Sequence, residues 1–167
     1  MELIDNRYCI QGLPVDDIAR EFGCPLYVYD AASIEEQMNI LNYSFPDINL
    51  KIKYAVKALS NISVLKLMKK FGAGLDTVSI QEAKLGLMAG FSPQEILYTP
   101  NSVSFEEIRE AVEAGFMINI DNIALLEQFG HEYGSNVPCC VRLNPHIMAG
   151  GNHKISTGHI DSKFGLS

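Results

Sequence analysis

Basic charge is scarce in this sequence: 13 Lys and Arg stand against 20 Asp and Glu, a formal net charge of −7. A protein that tracks phosphates needs the opposite excess, so no nucleic-acid partner is expected. No apolar run approaches the ~20 residues of a membrane span, so no membrane partner is expected either. The opening Met1 to Asp5 lacks the basic and apolar regions of a secretory signal. Cysteine is limited to Cys9, Cys24, Cys139 and Cys140, read as reduced thiols in a chain without an export signal. Cys139 and Cys140 are adjacent, so on a strand they point to opposite faces and do not form a metal pair. A cytoplasmic location follows as the expectation. The sequence also lacks the G-x-G-x-x-G fingerprint after a strand, the Walker A loop and the G-x-S-x-G elbow.

What is present is a repeat. In the first 30 residues, Tyr8 to Leu13 has weak strand character, Val15 to Phe22 has one apolar helix face ended by Gly23, and Leu26 to Tyr29 reads as a short strand. Asp30 is placed to cap a helix through about Leu41. From Leu50 onward strands and helices alternate. The strands are Leu50 to Val56, Leu75 to Ser79, Ile96 to Thr99, Phe116 to Ile120 and Val137 to Leu143. Ser60 or Asn61, Ser104 with Glu107, and Asp121 or Asn122 supply cap signals for the intervening helices.

Strand midpoints fall about 22 residues apart, which suits short βα units joined by right-handed crossovers in a parallel sheet. An open doubly wound sheet and a (β/α)8 barrel both fit, and the missing glycine fingerprint favours the barrel. The reading is therefore an α/β fold, an incomplete (β/α)8 TIM barrel of about five βα units. Residues 1–25 form an N-terminal segment and residues 26–167 the partial barrel.

Reactive groups of such a barrel gather at the C-terminal strand ends. Those ends carry Lys57, Asp76 with Ser79, Thr99 with Asn101, Asp121 with Asn122, and Arg142 with Asn144. Asp121 is read as a helix cap. On the strand through Lys57, the positions Lys53, Ala55 and Lys57 share one face, which directs Lys57 into the barrel mouth. Desolvation there would lower its proton affinity and let it attack carbonyls as the free amine. Lys51 and Lys53 sit lower and are read as ordinary solvated lysines. Arg142 is a candidate fixed cation for a phosphate or carboxylate, and Asp76 a candidate partner for a cationic group. His146, His153 and His159 with Asp161 fit no zinc spacing, so no metal is expected.

These residues carry a resemblance. Tyr54-Ala-Val-Lys-Ala58 resembles the pyridoxal-phosphate lysine motif of the alanine-racemase-like (fold type III) decarboxylases. Gly74-Leu-Asp-Thr-Val-Ser79 with Glu82, Ala89-Gly-Phe91 and Glu107 to Gly115 are similar to further motifs of that family. Arg142-Leu-Asn-Pro145, His153, Ile155-Ser-Thr-Gly158 and Asp161-Ser-Lys-Phe-Gly165 resemble its diaminopimelate decarboxylase branch. Leu59, the Thr99 to Ser104 segment and Gly150 to Asn152 depart from the pattern.

The resemblance implies a pyridoxal 5'-phosphate enzyme in which Lys57 holds the cofactor covalently. It implies support from Asp76 and Arg142, with His153 and Ser156 in a loop near the site. The implied reaction converts meso-2,6-diaminopimelate to L-lysine and CO2 in a homodimer, with arginine, ornithine or carboxynorspermidine decarboxylases as related possibilities. A non-catalytic homologue that binds the cofactor fits the same motifs. Family members are about twice this length or more and a complete barrel takes about 250 residues, so an N-terminal fragment, inactive alone, is the expectation.

Overall fold

The computed structural model describes residues 1–148 and 156–166. It contains two compact units, residues 1–50 and residues 51–167.

The first unit is an antiparallel meander with two helices. Strands β1 (Glu2–Ile4), β2 (Arg7–Ile10) and β3 (Leu13–Pro14) pair in order, and α1 (Val15–Phe22) and α2 (Ala31–Tyr43) follow. The turns need left-handed backbone at Asp5, Asn6, Gln11 and Gly12. Arg7 anchors the meander to α1 through Asp16 at 2.6 Å and Asp17 at 2.9 Å. Asp30 caps α2 as expected, its carboxylate accepting from the Ala32 and Ser33 amides. Leu26 to Tyr29, in contrast, lies in no strand. Its composition suits a ladder, but no strand among the described residues pairs with it, and Tyr27 is 86% exposed.

The second unit is a five-stranded parallel sheet. Its strands are β4 (Lys53–Ala55), β5 (Gly74–Thr77), β6 (Ile96–Tyr98), β7 (Met117–Ile120) and β8 (Cys139–Val141). Each pairs with its sequence neighbour, in the order β4-β5-β6-β7-β8. A doubly wound sheet reverses its strand order part-way. This one never does, so it is wound as a β/α barrel is. Helices α3 (Ile62–Lys70), α4 (Ile80–Met88), α5 (Phe105–Glu113) and α6 (Ile123–Tyr133) fill the connections. A parallel bridge from Leu143 to Leu166 continues the ladder beyond β8. Gly165 permits it: its φ is 79°, and a Cβ there would lie 2.8 Å from the Leu143 carbonyl carbon.

Caps set the start of each helix. Asn61 accepts from Ser63 and Val64, Ser79 from Glu82, and Asn122 from Leu125. Ser104 and Glu107 form the full reciprocal box. Strands β4 to β7 are thus each followed by a polar cap that starts the next helix.

The core lies between one sheet face and the helices. Val56, Leu65, Leu75, Ile80, Ala83, Ile96, Ile108, Ile118, Ile120 and Phe129 are buried in one cluster. Each large aliphatic contributes about 1.5–3 kcal/mol on burial. Tyr98 is fully buried in the same layer, and its hydroxyl has no hydrogen-bond partner among the described residues. Burial pushes its phenol up to about 12. An unsatisfied buried hydroxyl costs ~1–3 kcal/mol. Tyr98→Phe, which removes it with little loss of volume, is expected to stabilise the protein by about 1 kcal/mol, read as a higher urea midpoint at unchanged slope.

Candidate active site

The opposite face of the sheet is where polar side chains collect. Strand alternation sends Leu75, Thr77, Ile96, Tyr98, Ile118 and Ile120 toward the helices. The intervening positions line a cavity of about 440 Å³. Its wall includes Lys53, Asp76, Leu97, Thr99, Asn119 and Arg142 from successive strands, with Lys57, Val78, Asn101 and Phe164 around them. Lys57, Asp76 and Arg142 are brought together here. Ser156 is half-buried but does not line this cavity, and His153 lies outside the described residues.

Lys57 is reached differently from the sequence reading. Strand β4 ends at Ala55, and Val56–Ala58 form a 3-10 turn closed by the Leu59 amide on the Val56 carbonyl at 3.0 Å. Fully buried Val56 pins this turn to the core and leaves Lys57 exposed at the cavity rim.

The desolvated lysine is Lys53 instead. It is half-buried on the cavity wall, and its ammonium donates to the Glu95 carbonyl at 2.8 Å. Burial holds it below the usual lysine range, partly opposed by the negative charges of Glu95 and Asp76. Its reading as a solvated lysine is therefore corrected: the chain before β6 and the start of β7 close over its stem, bringing Met117 Sδ within 3.8 Å.

Asp76 is held by a side-chain relay. Thr99 Oγ1 donates to Asp76 Oδ1 at 2.6 Å, and Asn119 Nδ2 donates to Thr99 Oγ1 at 3.4 Å. Asn119 Oδ1 is buried without a partner among the described residues. Arg142 is fixed from both sides. Its amide donates to the Ile120 carbonyl at 2.8 Å and its carbonyl accepts from Leu166 at 2.7 Å. Its guanidinium lies 4.6 Å from the centre of the Phe164 ring.

Asp121 is not the cap of α6; Asn122 is. Asp121 is buried and its carboxylate accepts from the amides of Asn101 and Asn122. Asn144 is buried too. Its side chain donates to the His159 carbonyl and accepts from the His146 amide, both at 3.0 Å, tying the 156–166 segment to the end of β8. Sequence reasoning missed Lys53, Asn119 and Phe164 as cavity residues. The alternation of Asn119 with Ile118 and Ile120 was a usable signal. Phe164 stood within the Asp161-Ser-Lys-Phe-Gly165 motif, which carried the resemblance but gave no sign that its ring lines the cavity.

Among the described residues no group of three His, Cys, Asp or Glu side chains is placed to hold a metal ion, and no helix is long and apolar enough to cross a membrane.

The family model for the pyridoxal binding domain of pyridoxal-dependent decarboxylases matches residues 31–167. The chain belongs to this family. The family match begins at Ala31, whereas the two compact units divide after Leu50 and the sequence pattern suggested a division after Pro25. Over 167 residues the chain is 38% identical to a diaminopimelate decarboxylase of Staphylococcus aureus, covering 98% of this chain and 39% of that protein. It is 35% identical to one of Haemophilus influenzae over 97% of this chain and 40% of the relative. The crystal structure of diaminopimelate decarboxylase from M. jannaschii in complex with L-lysine superimposes with a TM-score of 0.80 at 30% identity, covering 99% of this chain and 40% of that one. A Vibrio vulnificus lysine/ornithine decarboxylase complexed with cadaverine gives a TM-score of 0.70 at 26% identity, over 81% and 37%. The chain thus spans about two-fifths of the length of these relatives. The five-stranded parallel sheet is part of the family's TIM-barrel domain, as expected from the sequence.

The site suits the family's cofactor. A cavity of about 440 Å³ falls in the ~300–1,000 Å³ range of small-molecule sites. Lys57 offers an accessible amine for the aldehyde of pyridoxal phosphate, and Arg142 a cation for an anion.

Proposed function

We propose that this chain carries the lysine-bearing side of the active site in a pyridoxal-phosphate decarboxylase that converts meso-2,6-diaminopimelate to L-lysine and CO2. The observation that carries this reading is the placement of Lys57 at the mouth of a cavity that Asp76 and Arg142 share. The names of the relatives support the substrate.

Lys57 would hold the cofactor at the rim through its Nζ, which as a free amine can bond an aldehyde carbon, the carbonyl oxygen leaving as water. Bound there, pyridoxal phosphate is the electron sink for the pair left behind as CO2 departs. With substrate in the cavity, the Lys57 Nζ would hold or deliver a proton on the side of the reacting carbon. Asp76 is the fixed anion that orients a cationic nitrogen, whether of Lys57 or of the substrate. Arg142 binds a carboxylate or phosphate; its two ladder bonds hold the backbone from which the side chain projects, and the guanidinium rests on the Phe164 ring. His153 and Ser156 are proposed to act from the loop beside the site. The protein is proposed to work in the cytoplasm as a homodimer.

The test is direct. Protein made from the complete coding sequence is incubated with pyridoxal phosphate, reduced with borohydride and mapped by mass spectrometry. The label is expected on Lys57; a label on Lys53 alone would overturn the assignment. CO2 release is then compared for diaminopimelate, lysine, ornithine and arginine. The likeness to a lysine/ornithine decarboxylase makes ornithine the informative competitor. Faster turnover of ornithine than of diaminopimelate would replace the substrate while leaving the role of Lys57 intact.

A further inference from the structure

We propose that Thr99 is a positioning residue that acts through Asp76, with Asn119 as its brace; this rests on the cofactor-site reading above. A carboxylate on the open face of a sheet is free to turn about its terminal torsion. Asp76 is not free. The Thr99 hydroxyl donates to its Oδ1 at 2.6 Å, the short distance typical of a hydroxyl bound to an ionised acceptor.

Thr99 is itself well placed to impose a direction. Its amide donates to the Thr77 carbonyl at 2.7 Å, and its β-branched side chain is stiff at χ1. Asn119 completes the relay from the next strand. Its amide donates to Thr99 Oγ1 at 3.4 Å and occupies a lone pair, leaving the single hydroxyl proton for Asp76.

The reverse orientation of the Asn119 amide is disfavoured. It would set Oδ1 against a hydroxyl oxygen whose proton is already given away. The orientation present leaves Oδ1 buried and without a partner among the described residues. The three side chains come from β5, from the residue just after β6, and from β7, and all line the cavity at whose rim Lys57 stands. Asp76 thus holds its orientation before any ligand arrives, and ligand binding need not spend affinity on ordering it.

A double-mutant cycle on cofactor affinity tests this, with pyridoxal phosphate as the probe and its absorbance as the readout. The protein is again made from the complete coding sequence. Asp76→Asn is expected to weaken binding. Thr99→Val is expected to weaken it roughly tenfold, the effect of one charge-assisted hydrogen bond. Thr99→Ser, which keeps the hydroxyl, should remain within about twofold of wild type. In the Asp76→Asn background, Thr99→Val should change affinity by less than about twofold.

Equal losses from Thr99→Val in both backgrounds would overturn the relay, because Thr99 would then act on its own. Wild-type affinity in Asp76→Asn would overturn the role of Asp76 itself, and the relay with it. If Thr99→Val does not fold, Asn119→Ala takes its place in the same cycle, since it removes the brace and leaves the β6 ladder intact. The same coupling to Asp76 is required of it.

Discussion

Replacing Lys57 with alanine is expected to lower turnover by about 10³-fold or more while leaving the fold unchanged. A positioned proton-transfer group alone contributes about 10²–10⁴-fold, and this substitution also removes the covalent attachment. The fold should tolerate it because Lys57 is exposed on its 3-10 turn, whereas the neighbouring Val56 carries the packing. A stability change within about 0.5 kcal/mol is therefore expected. Lys57→Arg sharpens the experiment. It keeps the positive charge, but its guanidinium stays protonated and does not attack the aldehyde. Turnover should be lost equally in both variants, measured as CO2 release alongside urea unfolding. More than a tenth of wild-type turnover in either variant would remove Lys57 from the chemistry.

The second large effect is structural. Gly86 lies buried in α4 where the helix crosses the sheet, and a Cβ there would sit 2.6 Å from Leu75 Cδ1 and 3.0 Å from Ile96 Cδ1. Both side chains are fully buried, so neither can swing into solvent. Two effects compete on substitution. Leaving glycine gains up to ~1 kcal/mol of helix propensity, and overpacking a filled core costs ~1–3 kcal/mol. For Gly86→Ala these nearly balance, with a net loss of about 1 kcal/mol. For Gly86→Val the propensity gain shrinks and two further methyls must be housed, so a loss of about 3 kcal/mol is expected. The check is a fall in urea midpoint at constant slope. A valine variant as stable as wild type would mean that α4 can lift from the sheet without cost.

The parts of this fold that local chemistry controls could be read from the residues in order. Asn61, Ser104 with Glu107, and Asn122 announce helix starts because a short polar side chain competes for the first free amides wherever it stands. Asp76 and Arg142 were legible as strand-end residues because the reactive groups of such a barrel gather at the C-terminal ends of its strands. What escaped depended on partners far along the chain. Leu26 to Tyr29 has strand composition, but a strand is made by its neighbour, and the described residues supply none. Lys53 looked solvated because the Glu95 carbonyl that receives it is 42 positions away. Asp121 passed for a cap because nothing near it in sequence reveals that Asn101 binds it. The turn that lifts Lys57 off its strand follows from the burial of Val56, a property of the assembled core. Local signals marked Lys57, Asp76 and Arg142, which line one cavity; tertiary packing decided what surrounds each of them.

The unbroken neighbour-to-neighbour strand order has a consequence for how the chain acquires its shape during synthesis. Lys53 pairs with Gly74, Leu75 with Ile96, Leu97 with Met117, and Ile118 with Cys139, each reaching only 20 or 21 positions along the chain. Among the described strands of this sheet no ladder waits for a distant segment, so loop-closure entropy is small and nearly equal at every step. Folding of this kind is vectorial: each βα unit can dock as it leaves the ribosome, on the unit made just before it. Asp76 would then meet Thr99 one step after its own strand docks, and Asn119 one step later. The carboxylate is oriented in the order in which it is translated.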